Sequence, residues 1–235
     1  MHLHKKVVVI TDASDGIGKA IALRLARDGM RIALVARNQE RLQEVEVACK
    51  SLGADMVRFY KCDLSQRSQM KSTVENIVAD FSGIDVLINN AGVWQKLAQL
   101  DEIEDDVIDE IIDTNLKGVI YMTKYALPSL RMQDEGIILN ISSKSGVVAQ
   151  DGQAAYTASK YGVRGFTEVL NKDLADTSIR VGGIYQAGTN TAMFAKADQD
   201  FPVNTFSEPS DLADVVATML SLPQKIWLHD VRVEK

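Results

Sequence analysis

Val7-Val8-Val9-Ile10, running into Thr11-Asp12-Ala13-Ser14-Asp15-Gly16-Ile17-Gly18, is the stretch whose reading decides the fold. Four consecutive apolar residues bounded by a turn-forming cluster read as a strand buried on both faces, the kind found in parallel sheets. Beyond the glycines, Ile17, Ile21 and Leu25 recur at helical spacing, and the pattern stops at Gly29. The unit is strand, glycine turn, helix. At such a turn Gly16-x-Gly18 lets the backbone approach a pyrophosphate, and the helix N-terminus adds N–H groups and a positive dipole.

The same unit repeats along the chain. Further strands are predicted over 31–36, 56–62, 84–89, 136–142, 179–185 and 226–233. Helices are predicted over 39–52, 65–81, a long region ending near Leu130, 154–176 and 211–222. This alternation predicts an α/β fold: one doubly wound, Rossmann-like parallel sheet of about seven strands with helices on both faces. No linker or repeat divides the chain, so residues 1–235 read as one dinucleotide-binding domain. Two stretches depart from the rhythm. Residues 101–113 carry eight acids, yet Ile103, Val107, Ile108, Ile111 and Ile112 keep helical spacing, which predicts an amphipathic helix with a solvated acidic face. Residues 188–207 are irregular and follow the sixth strand's carboxyl end, the edge at which open parallel sheets bind ligands.

Composition narrows the function. The 235 residues are 46% apolar and 25% charged, with a net charge of -6 and a pI near 5.1, so no basic surface invites nucleic acid or anionic lipid. Cys49 and Cys62 form no Cys-x-x-Cys and lack a histidine partner, so neither a disulfide framework nor a metal site is expected. His2 and His4 belong to a polar terminus. Four apolar residues after Lys6 are too few for a signal peptide or a membrane span, which predicts a cytoplasmic protein.

The chemistry points to Tyr156-Thr157-Ala158-Ser159-Lys160, with Ser143 thirteen residues earlier. On a helix, a tyrosine and a lysine four apart share one face. A free phenol titrates near ~10. A fixed ammonium about 4 Å away, at an effective dielectric of about 20, favours the phenolate by roughly 4 kcal/mol, or about 2 to 3 pKa units. The phenol is then expected to titrate near neutrality, where a general acid/base works best. Ser143 offers a hydroxyl to hold a substrate oxygen beside it, with Ser142 as the neighbouring alternative.

Thr11-x-x-x-x-Gly16-Ile17-Gly18, Asp63, Asn89-Asn90-Ala91-Gly92, Asn115, Ser143 and Tyr156-x-x-x-Lys160 stand in an order and spacing that resembles the short-chain dehydrogenase/reductase family. The resemblance spans Val7 to Val233. It implies that Tyr156 exchanges a proton with a carbonyl or alcohol oxygen while hydride moves to or from a nicotinamide. It further implies that Lys160 holds the ribose hydroxyls and lowers the tyrosine pKa, that Ser143 positions the substrate oxygen, and that Asn115 holds a water linking Lys160 to solvent. Asn90, Ala91 and Gly92 are then expected along the adenosine side, Asp63 at the adenine amino group, and Thr191 at the nicotinamide carboxamide. Thr11, Asp12, Ser14, Asp15, Gly16, Ile17 and Gly18 complete the candidate cofactor contacts.

Three positions bear on the cofactor. Asp12 stands where the family usually has the first glycine of the turn, which brings a side chain into backbone that favours permissive dihedrals and a carboxylate toward phosphates. Gln186-Ala187 replaces the usual Pro-Gly after the sixth strand. Ala36-Arg37 replaces the acid that binds the adenosine 2'-hydroxyl in NAD-preferring relatives, and the planar fork of Arg37 suits a 2'-phosphate. NADP is therefore the expected cofactor and NAD the alternative, with Asp15 opposing because many NADP-binding relatives place a basic residue there. Trp94, Lys144, Gln150, Tyr185 and Met193 are expected near a substrate cleft. The expected function is hydride transfer between NADP(H) and a small carbonyl or alcohol, in a homodimer or homotetramer. A reductase-like protein with impaired cofactor binding, acting as a binding or regulatory protein, is the alternative that Asp12 and the missing Pro-Gly raise.

Overall fold

The computed structural model describes residues 1–195 and 201–234. Its seven strands are β1 (Val7–Thr11), β2 (Arg31–Ala36), β3 (Met56–Lys61), β4 (Val86–Asn89), β5 (Gly136–Ser143), β6 (Ile179–Gln186) and β7 (Asp230–Val233). They form one sheet in the order β3-β2-β1-β4-β5-β6-β7, parallel throughout. The helices are α1 (Gly16–Ala26), α2 (Gln39–Ser51), α3 (Arg67–Phe81), α4 (Asp105–Ile112), α5 (Gly118–Leu130), α6 (Ala154–Asp173), α7 (Ala192–Ala195) and α8 (Pro209–Ser221).

Period-two alternation in the apolar strands builds both layers. Val8 and Ile10 face the core under α1, α2 and α8, whereas Val7 and Val9 face the core under α3, α5 and α6. Each such large side chain, fully buried, contributes about 1.5–3 kcal/mol. The winding reverses between β1 and β4, so the crevice at their carboxyl ends is the expected ligand site. No helix among the described residues is long and apolar enough to cross a membrane.

A buried polar chain fixes the height of α6 on the sheet. Asn89 Nδ2 donates to Thr123 Oγ1 at 3.0 Å and to Asn140 Oδ1 at 2.9 Å. Asn140 Nδ2 in turn donates to Thr167 Oγ1 at 2.8 Å, and that hydroxyl donates to Val163 O at 2.7 Å. Between α4 and α5 one π-helical turn, Asp113–Lys117, carries the buried Asn115. Such turns offset the hydrogen-bond ladder and recur at functional sites.

Some boundaries differ from expectation. The last strand starts at Asp230 rather than 226, because only Asp230–Val233 pair with β6. Ile226 N instead closes a turn on Pro223 O, and the Trp227 indole donates to Val181 O at 2.8 Å. The irregular segment after β6 contains α7, a 3-10 turn at Val203–Thr205 and a bridge between Thr189 and Ser207; its positions 196–200 lie outside the described residues.

Candidate active site

Beyond β1 the chain turns through Asp12 at φ +52° and Gly16 at φ +50°, both in the left-handed region. Asp and Asn visit that region more readily than other non-glycine residues, so the turn accommodates Asp12. Asp15 is extended and caps α1, accepting from Gly16 N at 2.8 Å; its other oxygen accepts from Arg41 at 2.8 Å. Gly18 is required by close approach: a Cβ there would collide with the Asp12 carbonyl and lie 2.7 Å from Asn90 Nδ2. Thr11 Oγ1 accepts from Asn90 N at 2.9 Å and Ala91 N at 3.0 Å, tying the glycine turn to the segment after β4.

Helix α6 presents Tyr156 and Lys160 on one buried face, each 5% exposed. The N–H of Tyr156, unsatisfied in the first helical turn, donates to Gln95 Oε1 at 3.1 Å, and Trp94 packs edge-on against the Tyr156 ring at 4.5 Å between centroids. Lys160 Nζ lies 5.5 Å from the centroid of that ring. Gly92 leaves the ammonium room, since a Cβ there would stand 3.2 Å from Nζ. Burial dominates the titration of both groups. It pushes the phenol up to about 12, against an opposing pull from the neighbouring Ser143 hydroxyl, and pushes the ammonium down to about 8. The near-neutral phenol expected from sequence is therefore corrected: desolvation outweighs the opposing pull of Ser143.

Ser143 Oγ accepts from Ser145 N at 3.1 Å at the end of β5, whereas Ser142 directs its hydroxyl to the Lys160 carbonyl at 3.5 Å. Both amide hydrogens of Asn115 are used within the protein, and its oxygen keeps one lone pair beyond the bond it accepts. Its Oδ1 accepts from Val93 N at 2.7 Å, and its Nδ2 donates to Val93 O at 3.0 Å and Ser159 Oγ at 3.3 Å. It clamps the segment that carries Gly92 and Trp94.

One cavity of about 890 Å³ joins these parts. Asp12, Ser14, Asp15, Gly16, Ile17, Arg37, Asn90, Gly92, Ser143, Tyr156, Lys160 and Thr191 line it. Thr11, Gly18, Ala91 and Asn115 stand behind the wall and shape it. Asp63 lies off the cavity, its Oδ1 accepting from Ser65 N and Oγ, both at 2.9 Å. Trp94, Lys144, Gln150 and Met193 line the cavity as expected, and Tyr185 does not. Sequence reading missed Asn38, Arg41, Glu110 and Gln153 in the lining, together with Phe201 and Phe206. Arg41 was open to discovery, because it follows Arg37 by four residues at the start of α2.

The donor set suits a dinucleotide. The turn opens onto the N-terminus of α1, where N–H groups and the helix dipole favour phosphate. At the β2 end Arg37 stands 3.5 Å from Glu110, and Arg41 is held by Asp15. Both guanidinium groups face the same cavity as Tyr156.

Comparison with known proteins bears on what this arrangement is. The family model described as short chain dehydrogenase matches residues 6–201. An uncharacterized oxidoreductase of Staphylococcus aureus (strain MRSA252) is 32% identical over 232 residues, covering 98% of this chain and 97% of the relative. A metagenomic short-chain oxidoreductase solved in complex with NADP is 31% identical and superposes with a TM-score of 0.86 over 100% of both chains. An alcohol dehydrogenase from the archaeon Thermococcus sibiricus, complexed with 5-hydroxy-NADP, is 26% identical with a TM-score of 0.90 over 98% of this chain and 96% of that one.

Proposed function

The chain belongs to the short-chain dehydrogenase/reductase family of NAD(P)-dependent oxidoreductases, and from that premise we propose that it transfers hydride between NADP(H) and a carbonyl or alcohol substrate. The observation that carries the reading is the single cavity shared by the glycine turn, the two arginines and the Ser143, Tyr156 and Lys160 side chains. The nicotinamide, when bound, supplies or accepts the hydride.

The protein's own groups do the rest. Ser143 and Tyr156 hold the substrate oxygen, and the phenol, kept protonated by burial, donates its proton to that oxygen in the reducing direction. Lys160, which shares the buried face of α6 with the phenol and whose pKa burial brings down to about 8, serves to restore the phenol's proton. Asn115 acts as a positioning residue through Val93. Asn90 and Gly92 line the path from adenosine to nicotinamide, Thr191, whose methyl lies beside Gly16, contacts the carboxamide, and Arg37 with Arg41 selects the 2'-phosphate of NADP over NAD. Relatives solved with NADP support that preference.

Tyr156→Phe tests the reading. Turnover of a carbonyl with NADPH is expected to fall at least about a hundredfold, the usual scale of general acid catalysis, while the fluorescence titration with NADPH stays close to wild type. Unchanged turnover removes Tyr156 from its role.

A further inference from the structure

We propose that the substrate is a ketone or aldehyde carrying an aromatic ring, or the corresponding alcohol, seated against an aromatic wall formed by Trp94, Phe194, Phe201 and Phe206. The proposal rests on the reading of Tyr156 as the proton donor and adds the chemical class that reaches it.

Four rings from two segments, one after β4 and one after β6, line the cavity together. Phe194 lies 5.8 Å from Trp94, 5.1 Å from Phe201 and 5.0 Å from Phe206 between centroids. Phe201 lies 6.4 Å from Trp94. The series ends on the catalytic candidate itself, because Trp94 meets the Tyr156 ring at 4.5 Å. A ring seated on this wall therefore has its carbonyl substituent delivered to the phenol and the Ser143 hydroxyl.

Ring geometry and charge select the occupant. The wall rings are inclined to one another by 51° to 83°, so edges and faces are both presented, the arrangement that receives a further ring edge-to-face. Such a contact favours an aryl over an equally apolar alkyl group by about two- to tenfold. The acids among the described lining residues are Asp12, Asp15 and Glu110, which come from the glycine turn and α4. Among the described residues the segments that carry the four rings add no carboxylate to the lining, so a ring has no anionic competitor for the wall. Among the described residues the buried Trp94 Nε1 has no hydrogen-bond partner, so the contacts of the indole with the wall are made by its ring. Trp94→Leu therefore loses ring contacts but no side-chain hydrogen bond among the described residues.

The test compares kcat/KM with NADPH for acetophenone, cyclohexyl methyl ketone and 2-butanone. Acetophenone is expected to exceed 2-butanone by at least about tenfold and cyclohexyl methyl ketone by at least about twofold. Trp94→Leu or Phe206→Leu is expected to bring acetophenone and cyclohexyl methyl ketone to within about twofold of each other. Separately, in a Trp227→Phe background without cofactor, acetophenone is expected to quench Trp94 fluorescence saturably. A preference for 2-butanone, a preference for acetophenone that survives both wall substitutions, or linear, unsaturable quenching overturns the proposal. The underlying reading fails by a different sign: Tyr156→Phe would keep its turnover while saturable quenching by acetophenone persisted.

Discussion

Lys160→Met should make this protein more stable. The ammonium sits in a 5% exposed position and burial pushes its pKa from 10.5 down to about 8. That displacement corresponds to about 3 kcal/mol against the folded state at pH 7, where Lys160 is charged in both states. Met fills a similar straight-chain volume without the charge. Between pH 8 and 10.5 the unfolded chain binds the proton that the folded chain has released, so wild-type stability rises across that window. Tyr156 acts in the opposite sense only above pH 10, because its pKa is raised from 10 to about 12 and the unfolded phenol ionises first. The assay is urea unfolding of nucleotide-free protein at pH 7 and pH 9.5. At pH 7 the Lys160→Met midpoint should lie about 1 M higher, for a slope of about 3 kcal/mol/M. At pH 9.5 most of that advantage should be gone. A variant less stable than wild type at pH 7, or an advantage that does not shrink with pH, would refute the reasoning. The same variant should lose hydride transfer, a stability gain set against function.

Asp12→Gly exchanges a left-handed aspartate for the residue that favours such backbone, while adding freedom to the unfolded chain, so stability should change by less than about 1 kcal/mol. Removing the carboxylate from the phosphate end should tighten NADPH about fivefold, more at low salt, in a fluorescence titration; weaker binding would show that Asp12 contributes to the site. Asn140→Leu leaves Thr167 without its donor and Asn89 with one acceptor fewer inside the sheet, and should cost about 2–4 kcal/mol in urea unfolding; a loss below about 0.5 kcal/mol would mean the buried chain does not anchor α6. Arg37→Ala should weaken NADPH about tenfold and NADH by less than about twofold, read by calorimetry, and equal losses would remove Arg37 from 2'-phosphate recognition.

The fold was legible because its strands are continuous apolar runs. Val7-Val8-Val9-Ile10 and Arg31 to Ala36 must bury both faces, and only a sheet covered on both sides permits that. The last strand was read too long because Ile226-Trp227-Leu228 is equally apolar, yet Ile226 and Leu228 are exposed and only the Trp227 indole engages the sheet, at Val181 O, without pairing. Tyr156, Lys160 and Ser143 were legible as a set through helical spacing and family order. Their titration was not, because four residues of helix fix a shared face but not how deeply it is buried. Nor was the aromatic wall. Trp94 is far in sequence from Phe194, Phe201 and Phe206, and it meets them only because β4 and β6 end at the same edge of the sheet.

Asp15 opposes NADP when read from sequence alone, and its partners in the structure weaken that objection. Asp15 does not stand free against a phosphate, since it caps α1 and holds Arg41 in the cavity lining. Glu110 likewise stands 3.5 Å from Arg37. Both pairs are solvent-exposed, with side chains 50% to 59% accessible, and exposed pairs of this kind contribute only about 0–1 kcal/mol each. A charge-assisted, two-pronged contact from a guanidinium to a phosphate is worth more, about 1.5–3 kcal/mol. On the proposed reading, the acids keep two long, entropically costly side chains at the cavity wall, at a cost that a bound 2'-phosphate outweighs.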